Sequence, residues 1–289
     1  MEVKELRPYG YCLGVVNALK LIEEVKKKHL DKSIYVFGML VHNNDVVKSL
    51  NEKGIITIDT TKIDKIERLK KFTQNDVVVF TAHGHNQKWD EILKNNGVIY
   101  YDASCSIVLK NMSLIRDNLS SSQVIYIGKK NHPETEANLT LSTNVVLYDI
   151  KEGIDYTKIT VDNPFVTNQT TLSILELQEI HNDIKNHYKN ARFVDEICSS
   201  TRIRQENIIN EKEEYDLVVI IGSVHSSNTE KLYQIAKSRF KDSLIIKVEN
   251  LEDIKKYDLS KYHTALITSG TSTPLESIIG IRDYLRGIK

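Results

Sequence analysis

The segment VIYYDASCSIVLK, residues 98–110, contains the pattern that decides the fold. Cys105 closes an apolar run that is typical of a strand, and a helical pattern begins directly after it. The same arrangement surrounds Cys12 and Cys198, and the chain has no other cysteine. The two intervals between consecutive cysteines are equal in length. We therefore interpret the three segments as the same point in three copies of one structural unit.

Each unit carries two further apolar runs that end in polar residues. These ends are Val41-His42-Asn43 and Thr81-Ala82-His83-Gly84 in the first unit, Asn131-His132-Pro133-Glu134 and Asn168-Gln169-Thr170-Thr171 in the second, and Ser226-Ser227-Asn228 and Thr271-Ser272-Thr273-Pro274 in the third. Continuous runs rich in Val and Ile that alternate with helical patterns are typical of parallel sheets covered by helices on both faces. Ligands in such folds bind beyond the carboxyl ends of the strands. We expect the polar residues to meet there.

The sequence thus predicts an α/β protein of three pseudo-equivalent parallel-sheet modules, with borders at residues 98 and 191. Module 1 (1–98) contains Cys12, His42 and His83, module 2 (99–191) contains Cys105, His132, Glu134 and Thr170, and module 3 (192–289) contains Cys198, Ser226–Asn228 and Ser272.

Composition excludes several classes of protein. The 289 residues are 40% apolar and 27% charged, enough for a packed core, and 39 Lys+Arg balance 39 Asp+Glu, so no basic region favours nucleic acid. The charged start lacks an apolar signal segment, and no apolar run approaches the roughly 20 residues of a membrane span. Three distant cysteines do not suggest a disulfide framework. We expect a soluble, cytoplasmic protein.

The three cysteines have two interpretations. A free cysteine is most often a small buried hydrophobe. Three thiolates that converge in a reducing compartment would instead form a soft metal site with an empty fourth position, as a catalytic metal requires. Gly10 and Gly14 flank Cys12, which would allow close approach to a bulky group. The helix starts after Cys105 and Cys198 would favour thiolates.

Three of the nine histidines close strands at matching positions: His42, His83 and His132. A single histidine there would more often be a structural hydrogen-bonding group, but three favour a shared anionic ligand or a proton relay. The histidines in polar, helix-like or linker surroundings are predicted to lie at the surface: His29, His181, His187 and His263.

The polar residues of module 3 also have two interpretations. Ser226-Ser227-Asn228 and Thr271-Ser272-Thr273 could be helix N-caps, or they could form a phosphate cradle. No Walker lysine or GxGxxG motif is present, which disfavours a nucleotide ligand. Spacing alone favours Glu134 as a first-turn acid that complements the helix dipole, although a carboxyl group beside a dry cavity could also deliver a proton.

Taken in order, nine segments resemble one enzyme family, the 4-hydroxy-3-methylbut-2-enyl diphosphate reductases, and they span almost the whole chain. The segments are Gly10-Tyr11-Cys12-x-Gly14-Val15, Val41-His42-Asn43, Ala82-His83-Gly84, Asp102-Ala103-Ser104-Cys105, Asn131-His132-Pro133-Glu134, Gln169-Thr170-Thr171, Cys198-x-x-Thr201-x-x-Arg204-Gln205, Gly222-Ser223-x-x-Ser226-Ser227-Asn228 and Gly270-Thr271-Ser272-Thr273-Pro274.

The resemblance implies a trefoil-like arrangement of the three modules around a central [4Fe–4S] cluster. Cys12, Cys105 and Cys198 would hold three of its irons, and the fourth would stay open to the substrate. The implied catalytic residues are Glu134, which delivers a proton, Thr170, which orients the substrate alcohol, and His132. The implied diphosphate pocket consists of His42, His83, His132, Ser226, Ser227, Asn228 and Ser272.

The implied reaction is reductive removal of an allylic hydroxyl to give isopentenyl and dimethylallyl diphosphate. No flavin or nicotinamide motif is visible, so a ferredoxin or flavodoxin would supply electrons to a monomer or homodimer. Two alternatives stay open: a related three-cysteine cluster enzyme acting on another small anionic substrate, and a zinc-stabilised protein that binds phosphorylated metabolites. Four residues depart from the family pattern, which puts the tuning of the cluster in question: Tyr9, Ser104, Ser106 and Ser200.

Overall fold

The structure is a computed structural model that describes residues 1–288, so Lys289 of the predicted module 3 lies outside the described residues. Its strands form three parallel sheets of four strands each. This confirms the α/β class and the three pseudo-equivalent parallel sheets predicted from the sequence.

The three sheets share one strand order. The first contains β2 (Ser33–Phe37), β3 (Ile55–Ile58), β4 (Asp76–Phe80) and β5 (Ile99–Asp102) in the order β3-β2-β4-β5. The second contains β6 (Val124–Gly128), β7 (Val145–Asp149), β8 (Phe165–Asn168) and β9 (Arg192–Phe193) in the order β7-β6-β8-β9. The third contains β10 (Leu217–Ile221), β11 (Leu244–Val248), β12 (Thr264–Ser269) and β1 (Glu2–Glu5) in the order β11-β10-β12-β1.

Helices connect the strands. They are α1 (Leu13–Lys28), α2 (Asn44–Glu52), α3 (Lys65–Leu69), α4 (Lys88–Asn95), α5 (Ser106–Leu119), α6 (Pro133–Leu139), α7 (Ile174–His187), α8 (Ser199–Asn210), α9 (Ser227–Arg239), α10 (Leu251–Ile254) and α11 (Leu275–Gly287), with a 3₁₀ turn at Tyr156–Lys158. In the part of the chain that is described, no helix is both long and apolar enough to cross a membrane.

The central strands are buried on both faces, which is why they read as continuous apolar runs. In β4, Val77 and Val79 pack in one core with residues of α1, while Val78 and Phe80 pack in a second core on the other face. Successive side chains of a strand point to opposite faces, so a strand between two cores needs apolar residues at every position.

The strands that precede Cys105 and Cys198 pair with the sheet of the preceding segment of chain, and the strand that precedes Cys12 pairs with the sheet of the last segment. β5 pairs with β4, β9 with β8, and β1 with β12, so the two ends of the chain share one sheet. The predicted borders at residues 98 and 191 stay predictions. The pairing means that the strands directly after them, β5 and β9, belong to the sheets before them.

A short loop after each of these strands leads to a cysteine at a helix N-cap. Cys12, Cys105 and Cys198 occupy the N-cap positions of α1, α5 and α8, as the strand–cysteine–helix pattern predicted. The prediction for His29 was wrong. This residue is buried, and its Nε2 lies 2.9 Å from the hydroxyl of Tyr101, because the end of α1 packs against the edge of the first sheet.

Candidate active site

A cavity of about 690 Å³, including the space at its open mouth, lies beyond the carboxyl ends of the strands. All twelve site residues predicted from the sequence line it: Cys12, Cys105, Cys198, His42, His83, His132, Glu134, Thr170, Ser226, Ser227, Asn228 and Ser272. The three sheets therefore bring together residues that lie far apart in the sequence. A shared cavity does not by itself assign a role to any of these residues.

The three free cysteines are held by equivalent backbone hydrogen bonds. The N–H of Cys12 donates to the carbonyl of Thr271 at 3.0 Å, that of Cys105 to Ala82 at 2.9 Å, and that of Cys198 to Thr170 at 3.0 Å. Each acceptor lies at the polar end of the third strand of a sheet. The same contact thus fixes each cysteine at the edge of the cavity.

Two of the thiols approach each other across a glycine. A β-carbon added to Gly14 would lie 2.7 Å from the Sγ of Cys105 and 3.8 Å from the Sγ of Cys12. The Cys105 contact is closer than real β-carbons tolerate. Gly14 is therefore required for the space between the two thiols.

The donor set is compatible with an iron–sulfur cluster. Among residues 1–288, no three or more His, Cys, Asp or Glu side chains converge tightly enough to hold one metal ion. One zinc ion would draw all its ligands to a single centre at about 2.3 Å. The irons of a cluster each take a separate thiolate, so three thiols spread around one cavity are compatible with it.

The helix start does not by itself favour a thiolate at Cys105. Burial raises the pKa of this thiol, and the backbone N–H groups of Ile107 and Val108 only partly oppose that effect. The other two cysteines also raise its pKa, because their negative charges act on it. Deprotonation of Cys105 therefore needs a further positive charge, as a bound metal would provide.

The three strand-closing histidines form one cluster. The rings of His42 and His83 stack with centroids 4.1 Å apart, and the ring of His132 lies 5.5 Å and 5.9 Å from them. Burial lowers the pKa of His42 to about 4, and it lowers the pKa values of His83 and His132 well below the usual range. All three rings are therefore neutral at pH 7 before a ligand binds.

Several buried polar atoms at the cavity lack a protein partner in the described chain. They are both ring nitrogens of His42, Nε2 of His132, and both side-chain polar atoms of Asn228. Nδ1 of His132 accepts a hydrogen bond from the N–H of Glu134 at 3.2 Å, so the proton of the neutral ring lies on Nε2. An unpaired buried polar atom is costly. The unpaired donors of His42, His132 and Asn228 therefore indicate a polar ligand that accepts hydrogen bonds.

The carboxyl group of Glu134 is buried against Thr170. Its Oε1 accepts from the N–H of Thr170 at 2.8 Å and its Oε2 from the Thr170 hydroxyl at 2.9 Å, while the Tyr126 hydroxyl lies 3.4 Å from Oε1. Burial raises the pKa of Glu134 to about 7, although these hydrogen bonds oppose it. Glu134 does lie in the first turn of α6. Its pKa also suits proton transfer near neutral pH.

The predicted site serines of module 3 all line the cavity, and one of them also caps a helix. The Oγ of Ser226 caps α9 by accepting from the N–H of Thr229 at 3.3 Å, and Ser227 Oγ accepts from Gln169 at 3.4 Å. The hydroxyl of Ser272 donates to the carbonyl of His42 at 3.0 Å. The two interpretations are therefore compatible for Ser226. The N-cap interpretation is wrong for Thr271-Ser272-Thr273, because the N-cap of α11 is Pro274 and no side chain caps that helix.

No role was predicted for Gln169 from the sequence. Its Oε1 accepts from the N–H of Lys129 at 3.0 Å, and its Nε2 donates to Thr171 at 2.8 Å as well as to Ser227. The fully buried amide thus connects the second sheet to α9. Its place in the motif Gln169-Thr170-Thr171, next to the predicted catalytic Thr170, was the available indication.

Comparisons with known proteins agree on one family. A family model described as LytB protein matches residues 3–286. The 4-hydroxy-3-methylbut-2-enyl diphosphate reductase of Malacoplasma penetrans (strain HF-2) is 35% identical over 283 residues, which cover 95% of this chain and 93% of that protein.

Two solved structures are similar over 99% of this chain, each with 25% identity. One is the E-1-hydroxy-2-methyl-but-2-enyl-4-diphosphate reductase from Plasmodium falciparum, with a TM-score of 0.84 and 87% of that chain covered. The other is (E)-4-hydroxy-3-methyl-but-2-enyl diphosphate reductase, described as the terminal enzyme of the non-mevalonate pathway, with a TM-score of 0.69 and 99% covered.

Proposed function

The chain belongs to the LytB protein family, and we propose on that basis that it is an oxidoreductase that converts 4-hydroxy-3-methylbut-2-enyl diphosphate to isopentenyl and dimethylallyl diphosphate. One observation supports this most strongly. A single cavity contains three free thiols, a cluster of neutral histidines and a buried carboxyl group whose pKa is about 7.

The reaction breaks the allylic carbon–oxygen bond of the substrate. It consumes two electrons and two protons. One proton leaves with the hydroxyl group as water, and the other forms a new carbon–hydrogen bond. The protein must therefore bind the diphosphate, keep bulk water away from the reacting carbon and deliver protons at a defined position.

Cys12, Cys105 and Cys198 are the proposed ligands of a [4Fe–4S] cluster. When bound, the cluster supplies the two electrons one at a time, and its fourth iron, which has no cysteine, supplies the Lewis acidity. The proposal rests on the three equivalent backbone bonds that hold the cysteines and on the space that Gly14 leaves between two thiols.

The diphosphate is proposed to bind among His42, His83, His132, Ser226, Ser227, Asn228 and Ser272. These residues provide neutral donors, and those of His132 and Asn228 have no protein partner. An anion that accepts these hydrogen bonds would remove the cost of the unpaired groups. It would also raise the pKa of the neighbouring imidazoles, so that one of them could become charged on binding.

Glu134 is the proposed proton donor, and Thr170 positions it. A carboxyl group whose pKa is about 7 is half protonated at neutral pH, so it can give a proton and regain it in each turnover. The hydroxyl of Thr170, 2.9 Å from Oε2, is placed to pass the proton to the substrate hydroxyl. His132 completes the proposed catalytic group, since its Nδ1 fixes the backbone of Glu134.

The proposed electron donor is a ferredoxin or flavodoxin. The proposed location is the cytoplasm, because a reducing compartment keeps free thiols available for iron.

The decisive experiment is anaerobic purification followed by measurement of iron, acid-labile sulfide and zinc, and then by an assay with dithionite and the diphosphate substrate. We expect brown protein with about four irons and four sulfides for each chain, and formation of both products. Colourless protein with one zinc per chain would contradict the redox function. Cluster-containing protein that rejects this substrate would contradict only the substrate.

A further inference from the structure

Arg204 is the only lysine or arginine that is buried among residues 1–288, with 3% of its surface exposed. It lies in α8, which begins directly after Cys198. Its Nη1 donates to the carbonyl of Ser200 at 2.8 Å, and its Nη2 donates to the carbonyl of Gly10 at 2.7 Å. One side chain thus joins the segment before Cys12 to the helix after Cys198.

The guanidinium has no acidic partner in the described part of the chain. Its hydrogen-bonded partners are carbonyl oxygens, and its buried Nε has none. Burial lowers the pKa of Arg204, whereas the negative charges that Cys12 and Cys198 can carry raise it. A buried charge without an opposite charge is strongly unfavourable. The two thiols are therefore the groups that could compensate it.

Arg239 shows the usual arrangement for comparison. Its Nη2 donates to the carbonyl of Glu211 at 2.6 Å, much as Arg204 donates to that of Gly10. Its Nη1, however, pairs with Glu214 at 2.6 Å, and 24% of its side chain is exposed. Arg239 therefore has an acid and solvent to compensate its charge, and it provides a matched control.

We propose that Arg204 is the counter-cation of the metal centre and a positioning residue for two of its three thiolates. The proposal deepens the proposed function and rests on it, because a cluster must occupy the cavity. Each one-electron reduction adds a negative charge to the cluster. A fixed positive charge nearby stabilises the reduced form and makes the reduction potential less negative.

The test compares Arg204→Met, which removes the charge at similar length, with Arg204→Lys, which keeps the charge, and with Arg239→Met. The measurement is a reductive titration of the cluster-containing (loaded) proteins, in which electron paramagnetic resonance detects the reduced cluster. We expect a clearly more negative midpoint for Arg204→Met, a midpoint close to that of the wild type for Arg204→Lys, and no change for Arg239→Met. An unchanged midpoint in Arg204→Met, or an equal shift in Arg204→Lys, would overturn the proposal.

Thermal unfolding of the metal-free and loaded proteins provides a second measurement that a purely structural role would not reproduce. We expect Arg204→Met to lower the unfolding temperature of the cluster-containing protein more than that of the metal-free protein. Both forms lose the two hydrogen bonds to backbone carbonyls, but only the cluster-containing form also loses a positive charge beside the cluster. Equal destabilisation of both forms would reject a counter-cation. If wild-type protein binds no iron and sulfide, the proposed function itself fails, which is a different outcome.

Discussion

The carbonyl oxygen of Thr170 accepts a hydrogen bond from the N–H of Cys198 at 3.0 Å. The N–H and hydroxyl of the same threonine hold the two carboxyl oxygens of Glu134. One residue thus fixes both a proposed metal ligand and the proposed acid. Thr170 therefore holds the carboxyl group of Glu134 at a constant position relative to Cys198.

Thr170→Val should test the hydroxyl separately from the backbone. The variant keeps both backbone bonds and the shape of the side chain but removes the donor to Oε2 of Glu134. We expect turnover to fall by roughly 10-fold to 100-fold, with unchanged iron content. The pKa of Glu134 should rise further, because a bond that stabilises its charged form is lost, so the alkaline decline of the rate should move to higher pH.

Thr157→Val is the matched control, since the exposed hydroxyl of Thr157 donates to the carboxylate of Asp155 at 2.6 Å. This control should leave the rate and its pH profile unchanged. Full activity in Thr170→Val would remove the hydroxyl from the mechanism.

Glu134→Gln should abolish most turnover while the protein keeps its fold and its cluster. We expect a loss of at least about 100-fold, because an amide cannot donate the proton that the carboxyl group gives. Glu136→Gln, two residues later in α6, changes an acid that pairs with Lys65 and should retain activity. Comparable rates in the two variants would contradict the assignment of the acid.

The raised pKa of Glu134 also predicts how stability depends on pH. Its pKa rises from 4.5 to about 7 on folding. Burial of this carboxyl group costs little stability below about pH 4.5, where it is protonated in both the folded and the unfolded protein. The free energy of unfolding falls as pH rises from 4.5 through 7, because the unfolded protein loses this proton more readily than the folded protein does. The full loss is about 3 kcal/mol, at about 1.4 kcal/mol for each tenfold change in the equilibrium. In urea unfolding of metal-free protein, Glu134→Gln should thus be more stable than wild type at pH 8 and similar to it at pH 4.5. A constant difference across this range would contradict the pKa.

Binding of a diphosphate should take up protons. The three histidines are neutral in the free cavity, and burial holds the pKa of His42 at about 4. A bound anion raises the pKa values of adjacent imidazoles, so affinity should increase as pH falls from 8 to 6. Calorimetry with pyrophosphate in two buffers of different ionisation enthalpy measures this uptake directly. No uptake would show that the rings bind as neutral donors only.

His42→Ala should weaken pyrophosphate binding about 10-fold or more, because it removes a ring that stacks on His83 and has two unpaired nitrogens. His187→Ala, which alters an exposed histidine on α7, is the control and should bind normally. Unchanged affinity in His42→Ala would make this residue purely structural.

The sequence predicted the three sheets and the location of every proposed site residue for a physical reason. Strands buried on both faces must be continuously apolar, so the polar residues that end them stand out, and parallel strands bring these ends to one side. A regular spacing reinforces this: His42, His132 and Ser226 each lie four residues after a glycine, Gly38, Gly128 or Gly222, at the end of a strand.

Contacts between distant segments were not predictable in this way. β5 and β9 each belong to the sheet of the preceding module because they pair with β4 and β8. The sequence of such a short strand does not indicate which strand it will pair with. The burial of His29 depends on a contact with Tyr101, a residue of another element. The pKa of Cys105 rises because burial outweighs the effect of the helix start, and burial of one thiol cannot be inferred from its neighbours in the sequence.

Gly14→Ala should reduce the cluster content of the protein more than its stability. The added methyl group would lie 2.7 Å from the Sγ of Cys105, so that thiol must move out of the space between the two cysteines. We expect less than half of the wild-type iron and sulfide, and faster loss of iron to a chelator.

Gly280→Ala, in α11, is the matched control because nothing lies within 4 Å of its added methyl group. It should keep full iron content and gain about 0.5–1 kcal/mol of stability from the better helix former. If both variants bound equal amounts of iron, the thiols of Cys12 and Cys105 would not need to meet at Gly14, and the proposed ligand set would be contradicted.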